Sequence, residues 1–167
     1  MNNNYLMMSF NIIQITMKRT VILLLLIAMI ANCAAQDKNN EEEAIKKVIQ
    51  VSYVEGLQNE GDLQKIEYGF HPDFNMLGID KGDKMWKLPI TDWKKRQSEK
   101  RNSGQLPLTG DQKVSVIFKS IDISGTAAVA KIEFYIGENM TFIDYISLYK
   151  FESGWKIVSK IFYKTKQ

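Results

Sequence analysis

The polar and apolar positions fall into two regimes, helical spacing first and strand alternation later. Ala44, Ile45, Val48, Ile49, Ser52, Tyr53 and Leu57 share one face of a long amphipathic helix. Glu41, Glu42 and Glu43 place negative charge at its start, where the helix dipole favours it. Gly56 lies late in this helix and predicts the close approach of another backbone, and Gly61 predicts the stop. Asp62 is the N-cap of a short second helix reaching Gly69, with Leu63, Ile66 and Phe70 as its apolar face. Pro72 disfavours helical backbone at His71 and breaks that helix. A strand is predicted over Phe74 to Ile79, a polar turn over Asp80 to Lys84, and a short strand carrying Trp86 over Lys84 to Leu88. A third helix follows over Ile90 to Arg101 with Thr91 as its cap, and then a loop to Gly110.

The last third alternates throughout. Strands are predicted over Gln112 to Ile123, Ala127 to Ile136, Thr141 to Phe151 and Trp155 to Lys164, the final pair joined by a tight turn at Glu152, Ser153 and Gly154. Helices segregated from a run of hairpin strands define an α+β fold. A curved antiparallel sheet wrapped on the long helix leaves a cavity between them. If Phe151 faces Trp155, one face of the last hairpin holds Tyr145, Tyr149, Trp155, Ile157 and Ile161. The other then holds Asp144, Ile146, Leu148, Val158, Lys160 and Phe162. Both faces are largely apolar, so the one turned away from the helices needs a partner, and a homodimer is expected.

The first thirty-five residues have a different character. From Met17, Lys18 and Arg19 precede a chargeless run from Val21 to Ala31. A helix of that length spans about 16 Å, short of the ~30 Å membrane core, so the run is expected to be a signal peptide. Residues before Met17 are then an over-extended start. Two cleavage readings stay open. Ile30, Ala31, Asn32 and Cys33 resemble a lipobox that departs from the usual pattern at Asn32, making Cys33 a lipidation candidate and the outer membrane its anchor. Alternatively, cleavage after Ala35 releases a chain that begins at Gln36 and is periplasmic or secreted. Residues 36–40 are a polar lead-in and 41–167 the folded domain.

The 167-residue chain carries a formal net charge of +3. Setting aside Lys18 and Arg19 leaves 20 basic and 19 acidic residues, a balance that gives no reason to seek nucleic acid or, without lipid on Cys33, a membrane. A single cysteine excludes an internal disulfide. A single histidine, His71, cannot assemble a multi-histidine zinc site, and phosphate-loop, dinucleotide and nucleophile-elbow motifs do not occur, so neither metal nor cofactor is expected.

The stretch Tyr53 to Gly56, then Gly61-Asp62, then Phe70 to Phe74 resembles the opening of the nuclear transport factor 2-like superfamily. Asp144 to Lys150 and Gly154 to Phe162 resemble the close of its putative lumazine-binding branch. The resemblance covers Glu41 to Tyr163. It implies a cone-shaped fold with a pocket between curved sheet and helices, a dimer across the sheet, and no single activity, since the superfamily hosts isomerases, dehydratases, cyclases and members without known chemistry.

Candidate site residues follow from chemistry. Asp144 is a carboxylate in an apolar strand, in register near Lys160. It is either a proton-abstracting base in a dry pocket or half of a structural ion pair. His71, with Asp73 nearby, is a second candidate base, or simply shapes the entry to the strand. Glu133 is a third carboxylate. Tyr53, Phe70, Phe74, Trp86, Trp93, Tyr135 and Tyr145 are candidate walls for a flat ligand, or core. The basic run around Trp93 to Arg96 reads as a solvated helix face. The favoured reading is a non-catalytic, homodimeric binding module for a small apolar or aromatic molecule. The alternatives are an isomerase, dehydratase or cyclase using a pocket carboxylate or His71, and a protein-interaction module.

Overall fold

The computed structural model describes residues 37–166, so the expected signal segment, Met17 and Cys33 lie outside the described residues. From Glu42 onward the chain forms one compact unit. Helix α1 covers 37–60, α-helical through 48 and wound with wider π-type turns over Ile49–Glu60. It is followed by α2 (Leu63–Gly69), β1 (Phe70–Ile79), β2 (Met85–Pro89) and α3 (Ile90–Asn102). Strands β3 (Val114–Ser124), β4 (Ala127–Ile136), β5 (Asn139–Phe151) and β6 (Gly154–Lys164) complete the unit.

The expected α+β class holds, and one pairing enriches it. The six strands run in the order β2-β1-β6-β5-β4-β3, with β1 parallel to β6 and the other neighbours antiparallel, so the sheet is mixed. β1 begins at Phe70, four residues before the predicted strand, because the chain leaves α2 already extended and pairs Phe70 with Ile157. Register shifts interrupt the pairings of β1 with β6, β3 with β4, β4 with β5 and β5 with β6. Such bulges bend strands and increase twist, which curves this open sheet around α1. Its concave face supplies Val114, Ala128, Ala130, Ile132, Phe134, Ile146, Leu148, Trp155 and Ile157 to the core, packed with Ile45, Val48, Ile49, Tyr53 and Leu57 of α1.

The helix contacts follow from small residues. A β-carbon on Gly56 would stand 2.7 Å from Cβ of Lys65, and one on Gly69 would meet Ser52 and Val48. The close approach expected at Gly56 is therefore that of α2. Gly56→Ala is expected to destabilise the domain by about 1–3 kcal/mol, read as a lower urea midpoint, because the contact is with the root of a side chain and cannot swing aside. Asp62 caps α2 as expected, accepting from the backbone N–H of Gln64 at 2.9 Å and of Lys65 at 3.1 Å.

Three local expectations change. Thr91 does not cap α3: the helix starts at Ile90 as expected, with Pro89 extended at the cap position and no side-chain bond there. Ala44 and Leu63, assigned to apolar helix faces, are solvent-exposed. The last hairpin also turns more tightly than predicted. Phe151 pairs with Gly154 and Lys150 with Trp155, across a two-residue loop. The expected register returns at Ser147–Ser159, after a bulge that leaves Val158 unmatched. Trp155 and Ile157 therefore lie on the concave face with Ile146 and Leu148, not beside Tyr145 and Tyr149. The gain is burial: Trp155 and Ile157 are both almost fully enclosed.

Candidate functional site

Between the concave sheet face and the helices lies a cavity of about 200 Å³, lined by Tyr53, Gln58, Met76, Trp93, Phe134, Phe142, Lys160 and Phe162. α1 contributes Tyr53 and Gln58, α3 contributes Trp93, and the rest come from four strands. The rings meet mostly edge to face or tilted. Tyr53 sits 6.2 Å from Trp93 and 6.0 Å from Phe134, and Phe142 sits 5.6 Å from both Phe134 and Phe162. These are the separations at which the positive edge of one ring meets the negative face of another. Trp86 adds a further ring 6.0 Å from Phe162. It can lie there because its strand partner is Gly78: a β-carbon on that residue would fall 2.1 Å from the indole.

A buried charge closes the cavity. Lys160 pairs with Ile146 across the strands, and Asp144 stands two positions along β5 on the same face. Lys160 Nζ donates to Asp144 Oδ1 at 2.8 Å and to the Tyr53 hydroxyl at 2.9 Å, and that hydroxyl donates to Asp144 Oδ2 at 2.7 Å. Asp144 is fully buried and Lys160 is 5% exposed. The Lys160 ammonium also lies 5.0 Å from the Phe162 ring centre, 5.1 Å from Tyr53 and 6.0 Å from Trp93, within range of cation–π attraction. Of the three polar groups, Asp144 is turned away from the cavity with both oxygens engaged. Lys160 and Tyr53 are the ones that face it.

Burial shifts both titrating donors. It holds the Lys160 ammonium below its ordinary pKa, against the pull of Asp144. It pushes the Tyr53 phenol well above 10, and the Asp144 carboxylate adds to that. Between the lowered Lys160 value and 10.5 the unfolded chain binds more protons than the folded one, so this group makes stability rise with pH. Tyr53 acts oppositely above pH 10, where only the unfolded chain loses the phenol proton. The stability difference between wild type and Lys160→Met is accordingly expected to grow as pH is raised toward about 10, in urea titrations at stepped pH.

The candidates predicted from sequence separate into four places. Tyr53, Trp93 and Lys160 line the cavity, with Asp144 behind them and Trp86 against Phe162. Phe70 and Phe74 stack edge to face at 4.9 Å within the core; Phe74 also reaches Trp93, at 6.3 Å. Glu133, Tyr135 and Tyr145 lie on the convex face of the sheet, because the strands alternate and Ile132, Phe134 and Asp144 take the concave positions. There Glu133 pairs with Lys119 at 3.2 Å and accepts the Tyr135 hydroxyl at 3.1 Å. His71 stacks on Phe151 at 4.9 Å in a separate lateral groove of about 510 Å³. Its Nδ1 accepts the backbone N–H of Asp73, and the Asp73 carboxylate stands 3.7 Å away. His71 and Asp144 thus do not share a site. Gln58, Met76, Phe134, Phe142 and Phe162 were not among the predicted site residues, although Phe162 shares the Asp144 face in the expected hairpin register.

A family model described as "Putative lumazine-binding" matches residues 40–163. The chain belongs to that family. No curated protein matches it. Among solved structures, this lumazine-binding-family domain is similar to an NTF2-like protein of unknown function from Shewanella baltica. The two are 26% identical, the match covers 77% of this chain and 96% of that one, and the TM-score is 0.60. An NTF2-like protein of unknown function from Methylobacillus flagellatus is also 26% identical, over 76% of this chain and 94% of that one, with a TM-score of 0.55. One from Silicibacter pomeroyi, at 16% identity over 77% and 98% with a TM-score of 0.60, shares the fold. The family domain is thus an NTF2-like fold, as the opening and closing motifs implied.

Proposed function

We propose that this domain binds a small, flat, aromatic molecule in the cavity between sheet and helices, in a chain exported from the cytoplasm and acting as a homodimer. The observation that carries the reading is the lining itself: five aromatic rings and one buried ammonium around about 200 Å³. Rings supply flat faces and edges for stacking, and the single cation offers one fixed point of orientation. The family description points to the same kind of ligand. Export rests on Lys18, Arg19 and the apolar run that follows them. Dimerisation rests on the convex face, where Tyr145, Tyr149, Ile161 and Tyr163 stay exposed in neighbouring strands.

Titration of the full chain with lumazine tests the binding. Saturable quenching of tryptophan fluorescence is expected, because Trp93 forms a wall of the cavity. A Phe134→Ala variant should bind markedly more weakly. Linear, non-saturating quenching that Phe134→Ala leaves unchanged would refute lumazine binding there. Sedimentation equilibrium addresses the assembly: monomer at micromolar concentration would remove the homodimer from the reading.

A further inference from the structure

The proposed binding reading gives Lys160 a place in the cavity wall but no chemistry of its own. We propose that Lys160 is a reactive amine that captures aromatic aldehydes or ketones in this cavity as an imine. The inference rests on the binding reading above and names the class of ligand that the cavity holds covalently.

The geometry carries it. Lys160 Nζ opens onto a cavity walled by rings, with Gln58 as the only other polar lining residue besides Tyr53. One of its hydrogen bonds runs to Asp144 Oδ1, behind the cavity wall, and another to the Tyr53 hydroxyl, which belongs to the lining. The amine thus stands among the lining rings of Phe162, Tyr53 and Trp93, with Asp144 behind it to take a proton. An amine in such surroundings is a nucleophile when neutral, and low polarity favours the neutral form. The depressed basicity of Lys160 agrees with this. Most lysines of the domain are exposed, and the basicity of Lys65 is instead raised by Glu60 and Glu55.

The step balances within these residues. Asp144 Oδ1, 2.8 Å from Nζ, takes one proton from the ammonium. The nitrogen lone pair then adds to the carbonyl carbon, and the carbonyl oxygen is protonated through the Tyr53 hydroxyl, which Asp144 resupplies through its 2.7 Å bond. The cationic carbinolamine so formed carries two N–H protons: one passes through the same relay to the hydroxyl, which leaves as water, and the other stays on nitrogen, so that a protonated C=N bond faces the Asp144 carboxylate. Amine and carbonyl compound give imine and water, with no change of oxidation state.

The test uses the full chain with benzaldehyde and sodium cyanoborohydride, which reduces an imine to a stable benzylamine, followed by peptide mapping. Benzyl alcohol, which has the same ring and no electrophilic carbon, is the competitor, and its own binding is followed by tryptophan fluorescence. Labelling of Lys160 at least about tenfold faster than of the exposed lysines, suppressed by benzyl alcohol, is expected. Lys160→Arg should lose that site while keeping the charge, and Asp144→Asn should slow it. Binding of benzyl alcohol without preferential labelling of Lys160 would overturn the imine and leave the binding reading intact. Neither binding nor preferential labelling would overturn both. Mapping on the wild-type chain decides the matter even where a variant does not fold.

Discussion

Asp144→Ala is expected to destabilise the domain by about 3–5 kcal/mol, the largest effect of any single substitution at the site. The carboxylate is fully buried, and removing it strands the Lys160 ammonium among Phe162, Tyr53 and Trp93 with only the Tyr53 hydroxyl as hydrogen-bond partner. Much of the loss is the cost of an uncompensated buried charge rather than the net worth of the pair. It follows that Asp144→Leu combined with Lys160→Met should restore most of the stability, since well-packed apolar side chains replace a buried ion pair at little cost. Urea unfolding of the two single variants and the double gives the coupling directly. Single effects below 1 kcal/mol, or simple additivity in the double variant, would show that the pair is solvated rather than buried.

Asn59→Ala is the second large effect, at about 2–4 kcal/mol. The Asn59 amide is buried and grips Val114 twice: Nδ2 donates to the Val114 carbonyl at 2.9 Å, and Oδ1 accepts the Val114 N–H at 2.8 Å. β3 is an edge strand, so these bonds stand in for the missing neighbour at its first residue. The same asparagine offers its own carbonyl to Leu108 N–H at 2.7 Å. Truncation leaves a buried donor and acceptor on β3 unpaired, and a shorter helix-to-sheet clip has no substitute nearby. Asn59→Asp keeps the acceptor but sets a buried carboxylate oxygen against the Val114 carbonyl, so at neutral pH its cost should exceed that of alanine. Denaturant midpoints in that order support the clip; equal midpoints for all three chains would contradict it.

Much of the fold was legible because local rules acted alone. The Asp62 cap, the break at Pro72 and the alternation of β3 to β6 need only neighbouring residues to be understood. The parallel pairing of β1 with β6 was not legible, since it joins strands more than eighty residues apart and leaves no local mark. The hairpin register failed for a definable reason. A three-residue turn and a two-residue turn with a later bulge give the same alternation beyond Ser147, and only the burial of Trp155 and Ile157 separates them.

The site shows the same division. The ion pair of Asp144 with Lys160 could be read from register, since that part of the hairpin was placed correctly. That Tyr53 completes it could not, because the hydroxyl reaches Asp144 from ninety-one positions away. Aromatic type alone did not separate cavity from surface. Tyr135 and Tyr145 are as aromatic as Phe134 and Phe142, and only the side of the strand decides which face the ligand space. Nothing local marks Asn59, since its partner Val114 lies across the loop before β3.

Native mass spectrometry of the full chain, purified without added ligand and then mixed with lumazine, tests the central claim most directly. The aromatic cavity predicts a one-to-one adduct per subunit, retained at low activation energy and weakened in Phe134→Ala. A chain that stays bare at lumazine concentrations well above its own, while wild type and Phe134→Ala remain folded and indistinguishable, would contradict it.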